Sequence, residues 1–176
     1  IDVALQYMRT QGQKLALAND EIDICYMIGP FDHSEYHTIT LATDPLYVVT
    51  PKNHPFLRKL AIDPHDLANE DLILGDMREW GEYRWRLNDM FSSEGIPLHV
   101  SLEASNTLAL IGLVSAGLGI TIYPESLIGF LGRNVEVRPI RHEAFSSRTV
   151  LVWKRTNRDV QVRSFVDVAK HLPVRK

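Results

Sequence analysis

Three consecutive polar residues, Ser105, Asn106 and Thr107, form the strongest candidate for a binding function in the sequence. They follow an alternating apolar and polar run over residues 98–103, which is typical of a half-buried strand, and they precede an apolar run over residues 108–114 that predicts a helix. All three residue types cap helices, and a helix N-terminus presents unpaired backbone N–H groups and a partial positive charge. This turn therefore either only caps the helix or also holds a small anion.

Catalytic and metal-binding motifs are missing from this sequence. It contains no HExxH, CxxC or GxSxG pattern. His33 and His37 are four residues apart beside Asp32 and Glu35, but Pro30 and the polar composition predict a loop there, not the helix that would align them on a metal. We therefore expect a protein that is not an enzyme and that needs no metal or cofactor.

Composition narrows the class of protein. The 176 residues are 45% hydrophobic and 23% charged, as in a folded chain of one or two small domains. The net charge of −3 gives no basic field for nucleic acid within these residues. The only cysteine, Cys25, lies in an apolar run that predicts a buried, inert thiol. No membrane span or leader is evident, which favours the cytoplasm, although a mature secreted protein would also lack its leader.

Strand and helix patterns alternate along nearly the whole chain, which predicts an α/β fold with a mostly parallel sheet. A strand over residues 1–7 and a helix over residues 11–19 flank Thr10, a second candidate cap. The strand–helix–strand unit over residues 98–123 predicts parallel strands. Further strands are expected at residues 22–27, 37–50 with an interruption at 44–45, 72–74, 135–137 and 148–153, and further helices at residues 80–94, 124–131 and 160–172, with a short helix capped by Asp63.

The predicted helix over residues 80–94 carries aromatic residues near its start. Trp80, Tyr83 and Trp85 precede apolar residues at helical spacing. Such stripes are usually part of a core, so we expect these three side chains to pack first and to contact a ligand second.

Two crossings between lobes are predicted. One lies near residues 50–55, where two prolines occur within six residues, and the other lies near residues 123–125. They assign residues 52–123 to one lobe and residues 1–51 and 124–176 to the other. Two α/β lobes joined by two strands bind small ligands in the cleft and close by a hinge motion.

Three stretches carry a resemblance to the effector-binding domain of LysR-type transcriptional regulators. They are LALANDEIDICYMIGP at residues 15–30, LYVVTPKNHP at 46–55 and LIGLVSAGLGITIYPES at 110–126, in the order and with the spacing of the family's signatures. This resemblance implies a two-lobed, type 2 periplasmic-binding-protein-like fold, with two Rossmann-like subdomains joined by two crossover strands. It also implies a sensor that binds a small organic acid, for example an aromatic carboxylate, and transmits closure to DNA-binding domains.

The resemblance further implies homodimers, homotetramers and promoter DNA as partners, with the DNA bound by an N-terminal winged helix-turn-helix domain. That domain is absent from the sequence, and we expect the first strand and helix of the effector domain to be absent too. The chain is thus expected to be a piece of a longer one. The alternative is an extracytoplasmic solute-binding protein for a small anion. It predicts a leader upstream of Ile1, whereas the regulator predicts a helix-turn-helix there.

Matched position by position, the resemblance implies ligand contacts at five turns or strand ends. They are Arg9, Thr10 and Gln11; Gly29 and Pro30; Gly75, Asp76 and Met77; Ala104, Ser105, Asn106 and Thr107; and Ile122 and Tyr123. Thr10 and Asn106 are expected in opposite lobes, so that one ligand can engage both. Arg9 is either a partner for a carboxylate, through two parallel hydrogen bonds, or a solvent-facing arginine.

Overall fold

The structure, a computed structural model, describes residues 2–171 apart from the side chain of Glu79. Helices and strands alternate, as the sequence predicts, and no helix in this range is both long and apolar enough to cross a membrane. The strands are β1 (Ile24–Gly29), β2 (Tyr36–Pro51), β3 (Leu72–Gly75), β4 (Val100–Ala104), β5 (Thr121–Pro124), β6 (Val135–Pro139) and β7 (Ser146–Lys154). The α-helices are α1 (Thr10–Ala18), α2 (Met77–Ser93), α3 (Thr107–Ser115), α4 (Glu125–Ile128) and α5 (Val160–His171), and the 3-10 segments are Pro55–Arg58 and Pro64–Asn69.

Contacts divide the chain into two compact units. The discontinuous unit comprises Ile1–Thr43 and Ser147–Lys176, of which residues 2–43 and 147–171 are described, and the continuous unit is Asp44–Ser146. Strand β2 runs from the first unit into the second without the interruption predicted at residues 44–45. The lobe boundaries predicted at the two crossings refer to another division of the chain and stay a prediction.

In the discontinuous unit, β1 pairs antiparallel with β7, from Ile24 opposite Trp153 to Gly29 opposite Arg148. Alternate residues of β7 face opposite sides of the sheet. On one side Val150 and Val152 pack with Cys25, Met27 and Leu17 of α1, and on the other Leu151 packs with the buried residues of α5. The prediction of a buried Cys25 is confirmed, since its exposed fraction is 4%.

The strand predicted over residues 1–7 is wrong for the residues that the structure describes, and Ile1 lies outside them. Residues 2–9 have no regular secondary structure. Val3, Leu5 and Tyr7 are 65%, 92% and 95% exposed. Alternation is a signal of a strand, but a strand also needs a hydrogen-bonded neighbour, and this segment pairs with none in the described range. Leu172, the last residue of the predicted closing helix, also lies outside the residues that the structure describes.

In the continuous unit, β2 lies between β5 and β6 and is antiparallel to both. The pair of β3 and β4 is parallel, and Ile120 forms a parallel bridge to Leu72 on the other side of β3. The chain therefore leaves β4, passes through α3 and returns beside β3, which confirms the predicted parallel direction. Gly119 permits this return, because a Cβ there would lie 2.6 Å from the backbone oxygen of Asp71 and its φ is +153°.

The prediction of a mostly parallel sheet is wrong. In the described part of the chain, the pairs formed by β1 with β7, β2 with β5 and β2 with β6 are antiparallel, whereas β3 with β4 is parallel. Alternation of strands and helices predicts parallel neighbours when each helix returns the chain to the same sheet. Here the long strands β2 and β7 pair with strands that are distant in sequence, so alternation does not determine their direction.

Candidate functional site

The N-terminus of α3 is capped by Asn106, which confirms that the polar triplet contains the cap. Its side-chain oxygen accepts a hydrogen bond of 2.9 Å from the backbone N–H of Ala109. Ser105, Asn106 and Thr107 are all exposed. Within residues 2–171 the backbone N–H groups of Thr107 and Leu108 donate to no acceptor. This helix end therefore presents two free donors and a partial positive charge to the surface.

The turn that follows β3 lies beside this helix end. Gly75 is paired with Ala104 at the ends of β3 and β4, and the N–H of Asp76 donates to the carbonyl of Ala104 at 3.0 Å. Parallel strands present their carboxyl ends at the same edge, and this edge is where α/β folds place ligands. The structure therefore brings together two of the turns predicted as ligand contacts, residues 75–77 and 104–107.

Aromatic side chains connect these two turns. The indole of Trp80, on the first turns of α2, packs directly against the Cα of Gly75, where an added Cβ would overlap the ring. Its ring centroid lies 5.1 Å from that of Tyr123, in an edge-to-face arrangement. The hydroxyl of Tyr123 in turn donates to the hydroxyl of Thr107 at 3.3 Å. Trp80 thus contacts one turn and reaches the other through Tyr123.

The side chains of Ile122 and Tyr123 contribute almost nothing to this surface, because both are buried. Their exposed fractions are 0% and 2%. The carbonyl of Ile122 accepts a hydrogen bond of 3.1 Å from the buried hydroxyl of Tyr83. Burial raises the pKa of both Tyr83 and Tyr123, so both phenols stay neutral and act as hydrogen-bond donors, not as bases.

Arg84 braces the same edge and was not anticipated from the sequence. Its guanidinium donates to the carbonyl of Gly75 at 3.4 Å and pairs with the carboxylate of Glu103, while its side chain is only 14% exposed. An arginine in a predicted helix looks like any solvated charge, so only the packing of α2 on the strand ends identifies this role. Arg84 ties the end of β3 to β4 and holds the turn after β3 in place.

The predicted site residues of the discontinuous unit lie at two places. Arg9 occupies the N-cap position of α1 without a side-chain capping bond, and its carbonyl accepts from the N–H of Gln13 at 2.8 Å. Thr10 is the first helical residue, so its prediction as the cap is wrong, because Arg9 already has the extended backbone of a cap. Gln11 follows on the exposed first turn of α1. Gly29 ends β1 and is joined to Pro30 by a cis peptide bond.

The loop that carries His33 and His37 is an aromatic cluster. The rings of Phe31, His33 and Tyr36 lie with centroids 5.2 to 6.3 Å apart. His37 instead packs on Trp153 at 5.2 Å. The two histidines thus have different neighbours, and among residues 2–171 no group of three or more His, Cys, Asp or Glu side chains is arranged for a metal.

The sequence matches a known protein family and is similar to several characterised regulators. The profile of the family described as "LysR substrate binding domain" matches residues 1–173. AlsR of Bacillus subtilis, an HTH-type transcriptional regulator, is 24% identical over 169 residues, which are 96% of this chain and 56% of AlsR. CatR of Pseudomonas putida, another HTH-type transcriptional regulator, is 33% identical over 127 residues, which are 72% of this chain and 44% of CatR. The chain thus spans about half the length of these regulators.

Solved structures share the fold. The BenM effector-binding domain with its effector benzoate has a TM-score of 0.80 at 21% identity, over 93% of this chain and 74% of that one. The effector-binding domain of QuiR in complex with shikimate has a TM-score of 0.77 at 23% identity, over 92% of this chain and 77% of that one. This likeness shows the type 2 periplasmic-binding-protein-like fold and confirms the predicted fold class.

Proposed function

Because the chain belongs to the LysR substrate-binding domain family, we propose that it is the ligand-sensing domain of a LysR-type transcriptional regulator and that it binds a small organic acid. The match confirms the resemblance that the three sequence signatures indicate. Binding without turnover is part of the proposal, so the acid is released chemically unchanged.

The proposal rests mainly on the N-terminus of α3, where two backbone amides are free to donate. The amides of Thr107 and Leu108 are unpaired in the described range, and the exposed hydroxyl of Ser105 lies beside them. Such a helix end favours a carboxylate over a neutral group. The neighbouring turn at residues 75–77 then contacts the body of the ligand. Contacts from Arg9, Thr10 and Gln11 to the same ligand stay a prediction.

The ligands of two structural neighbours suggest where a search begins. The effector-binding domain of BenM was solved with its effector benzoate, and that of QuiR in complex with shikimate. Both are small carboxylic acids built on a six-membered ring, and a carboxylate is the group that the end of α3 favours. A panel for this chain therefore includes benzoate, shikimate and short-chain acids.

The remaining parts of the proposal concern the whole regulator. We propose that it acts in the cytoplasm as a homodimer or homotetramer and binds promoter DNA through an N-terminal domain. The acid then shifts an equilibrium between two conformations of the regulator. To move that equilibrium from 1:99 to 99:1, the acid must bind one conformation more tightly by roughly 5.5 kcal/mol.

Calorimetric titration of the chain with the acid panel tests the proposed site. Asn106→Asp keeps a good helix cap but adds a negative charge beside the free amides, so we expect at least about a tenfold loss of affinity for any acid that binds. Asn106→Ser is the matched control, because it keeps a cap without the charge. If no acid binds, or if both variants bind as the natural chain does, the site is wrong.

The coding sequence upstream of Ile1 tests the regulatory role. A helix-turn-helix segment there supports a DNA-binding regulator. A secretion leader followed directly by the domain supports the solute-binding protein instead. Sedimentation of the chain with its upstream residues then tests the oligomer, since a monomer at every concentration contradicts the proposed dimer.

A further inference from the structure

Trp80 occupies a special position in the continuous unit. Its indole packs against the Cα of Gly75 in one predicted ligand turn and against Tyr123, which is hydrogen-bonded to Thr107 in the other. Tyr83 holds it from a third direction, with ring centroids 5.3 Å apart and an interplanar angle of 79°. The ring is thus fixed by three neighbours between the two turns.

The indole is nevertheless not sealed in the core. Trp80 is only partly buried at the edge of the cluster formed by Val49, Ile73, Tyr123 and their neighbours. Its N–H donates to no acceptor in the described part of the chain, and the Nε1 atom is not fully buried. A tryptophan N–H that serves only the core usually finds a partner. Here the ring and its donor remain available to another molecule.

We propose that Trp80 is the specificity-determining residue of the site, and that it selects acids with a planar, unsaturated ring by packing that ring against its indole. This inference rests on the proposed function, because it takes the carboxylate to lie at the free end of α3. It goes further by naming the part of the ligand that the other turn recognises. Gly75 is then required because any side chain there displaces the indole.

Intrinsic fluorescence gives a direct test. The chain has three tryptophans, Trp80, Trp85 and Trp153, so the double variant with Trp85→Phe and Trp153→Phe reports on Trp80 alone. We expect benzoate to change the emission of this variant with the dissociation constant that calorimetry gives. Emission that stays constant while calorimetry shows saturable binding overturns the proposal.

Ring selectivity gives the second test, on chains that keep the other two tryptophans. We expect Trp80→Leu to lower the ratio of affinities for benzoate and its saturated analogue cyclohexanecarboxylate by roughly 2- to 12-fold, the range measured for aromatic pairs. Trp80→Phe retains most of the ratio. Trp85→Leu is the matched control, since Trp85 is on the same helix but is 64% exposed, and it leaves the ratio unchanged.

The outcomes separate this inference from the proposed function. If shikimate or short-chain acids bind and benzoate does not, the domain senses an acid but the assignment of Trp80 is wrong. If Trp80→Leu and Trp85→Leu change the ratio equally, the assignment is also wrong. If no acid in the panel binds, both the function and the assignment fail.

Discussion

A few atoms determine the form of the candidate site. Gly75 has no Cβ, and this is why the indole of Trp80 can lie against the end of β3. The side-chain oxygen of Asn106 occupies one amide of α3 and leaves two others free. The hydroxyl of Tyr123 joins the aromatic group to Thr107. Each of these features depends on one residue and can be changed by one substitution.

Gly75→Ala is expected to destabilise the chain by about 1–3 kcal/mol, because its Cβ overlaps the indole of Trp80 and the ring must move. Urea unfolding measures the change. Gly81→Ala is the matched control, because Gly81 lies within α2 with nothing within 4 Å of its Cβ position. It should stabilise the chain by about 0.5–1 kcal/mol. Equal effects of both substitutions would contradict the packing of Trp80 on Gly75.

Cys25 should make stability depend on pH in alkaline solution. Burial raises the pKa of its thiol from 9.0 to about 11. Between these values the unfolded chain has lost the proton that the folded chain keeps, so the free energy of unfolding falls as pH rises, by up to about 1.4 kcal/mol per pH unit. Cys25→Ala removes this contribution. Unfolding in urea from about pH 8 to pH 11 should show a shallower slope for the variant, and identical slopes would be evidence against a buried thiol.

At the scale of elements, the candidate site is the carboxyl edge of two parallel strands followed by two helices. The side chain of Arg84 and the hydroxyl of Tyr83 fix α2 to this edge, at the carbonyls of Gly75 and Ile122. The end of α3 is fixed by its own cap. The two turns therefore have little freedom within the continuous unit, as a site that orients a ligand requires.

Tyr83→Phe tests the contact between α2 and β5. It removes the bond from the buried hydroxyl to the carbonyl of Ile122, and we expect a loss of about 0.5–1.5 kcal/mol in the free energy of unfolding. Tyr47→Phe is the comparison, because the hydroxyl of Tyr47 donates to Glu125 at an exposed position. That substitution should cost less, and a larger loss for Tyr47→Phe would contradict the assigned burial.

Local signals in the sequence predict most elements and two of the three expected caps, whereas Thr10 is not the cap of α1. Asn106 and Asp63 are caps because of residues within three positions of them, and the structure confirms both. The antiparallel direction of the pairs formed by β1 with β7 and by β2 with β5 and β6, and the state of residues 2–9, could not be predicted, since they depend on which distant segment pairs with which. The expected packing is confirmed for Trp80 and Tyr83 but is wrong for Trp85, which is 64% exposed. The role of Arg84 and the particular partners of Trp80 were missed for the same reason. Their partners Gly75, Tyr123 and Glu103 are brought to them only by the fold.

At the scale of the whole molecule, each unit contains its own core in the described part of the chain. The cluster around Ile73 and Leu110 lies within the continuous unit, and the clusters around Val152 and Val166 lie within the discontinuous one. The continuous unit is one uninterrupted segment. It includes both turns, the one that leads into α3 and the one that leads into α2. It therefore contains the helix end that is proposed to bind the carboxylate and the turn that is proposed to contact the rest of the acid.

A fragment of residues 44–146 is expected to fold on its own and to unfold cooperatively in urea. It retains the pairs of β2 with β5 and β6 and the core around Ile73. The fragment of residues 52–123, which follows the lobe boundary predicted from the sequence, loses β2 and β6 and should be much less stable. Circular dichroism of the two fragments measures this, and a more stable short fragment would favour the predicted boundary.

The proposed function and the proposed role of Trp80 both require a carboxylate at the N-terminus of α3. An NMR titration with benzoate that follows the backbone amides of Thr107 and Leu108 measures this most directly. We expect saturable downfield shifts of both amide protons, because each N–H begins to donate to a carboxylate, and smaller changes at the other helix ends. Saturable binding that leaves these two amides unmoved, or the absence of binding by any acid of the panel, would contradict it.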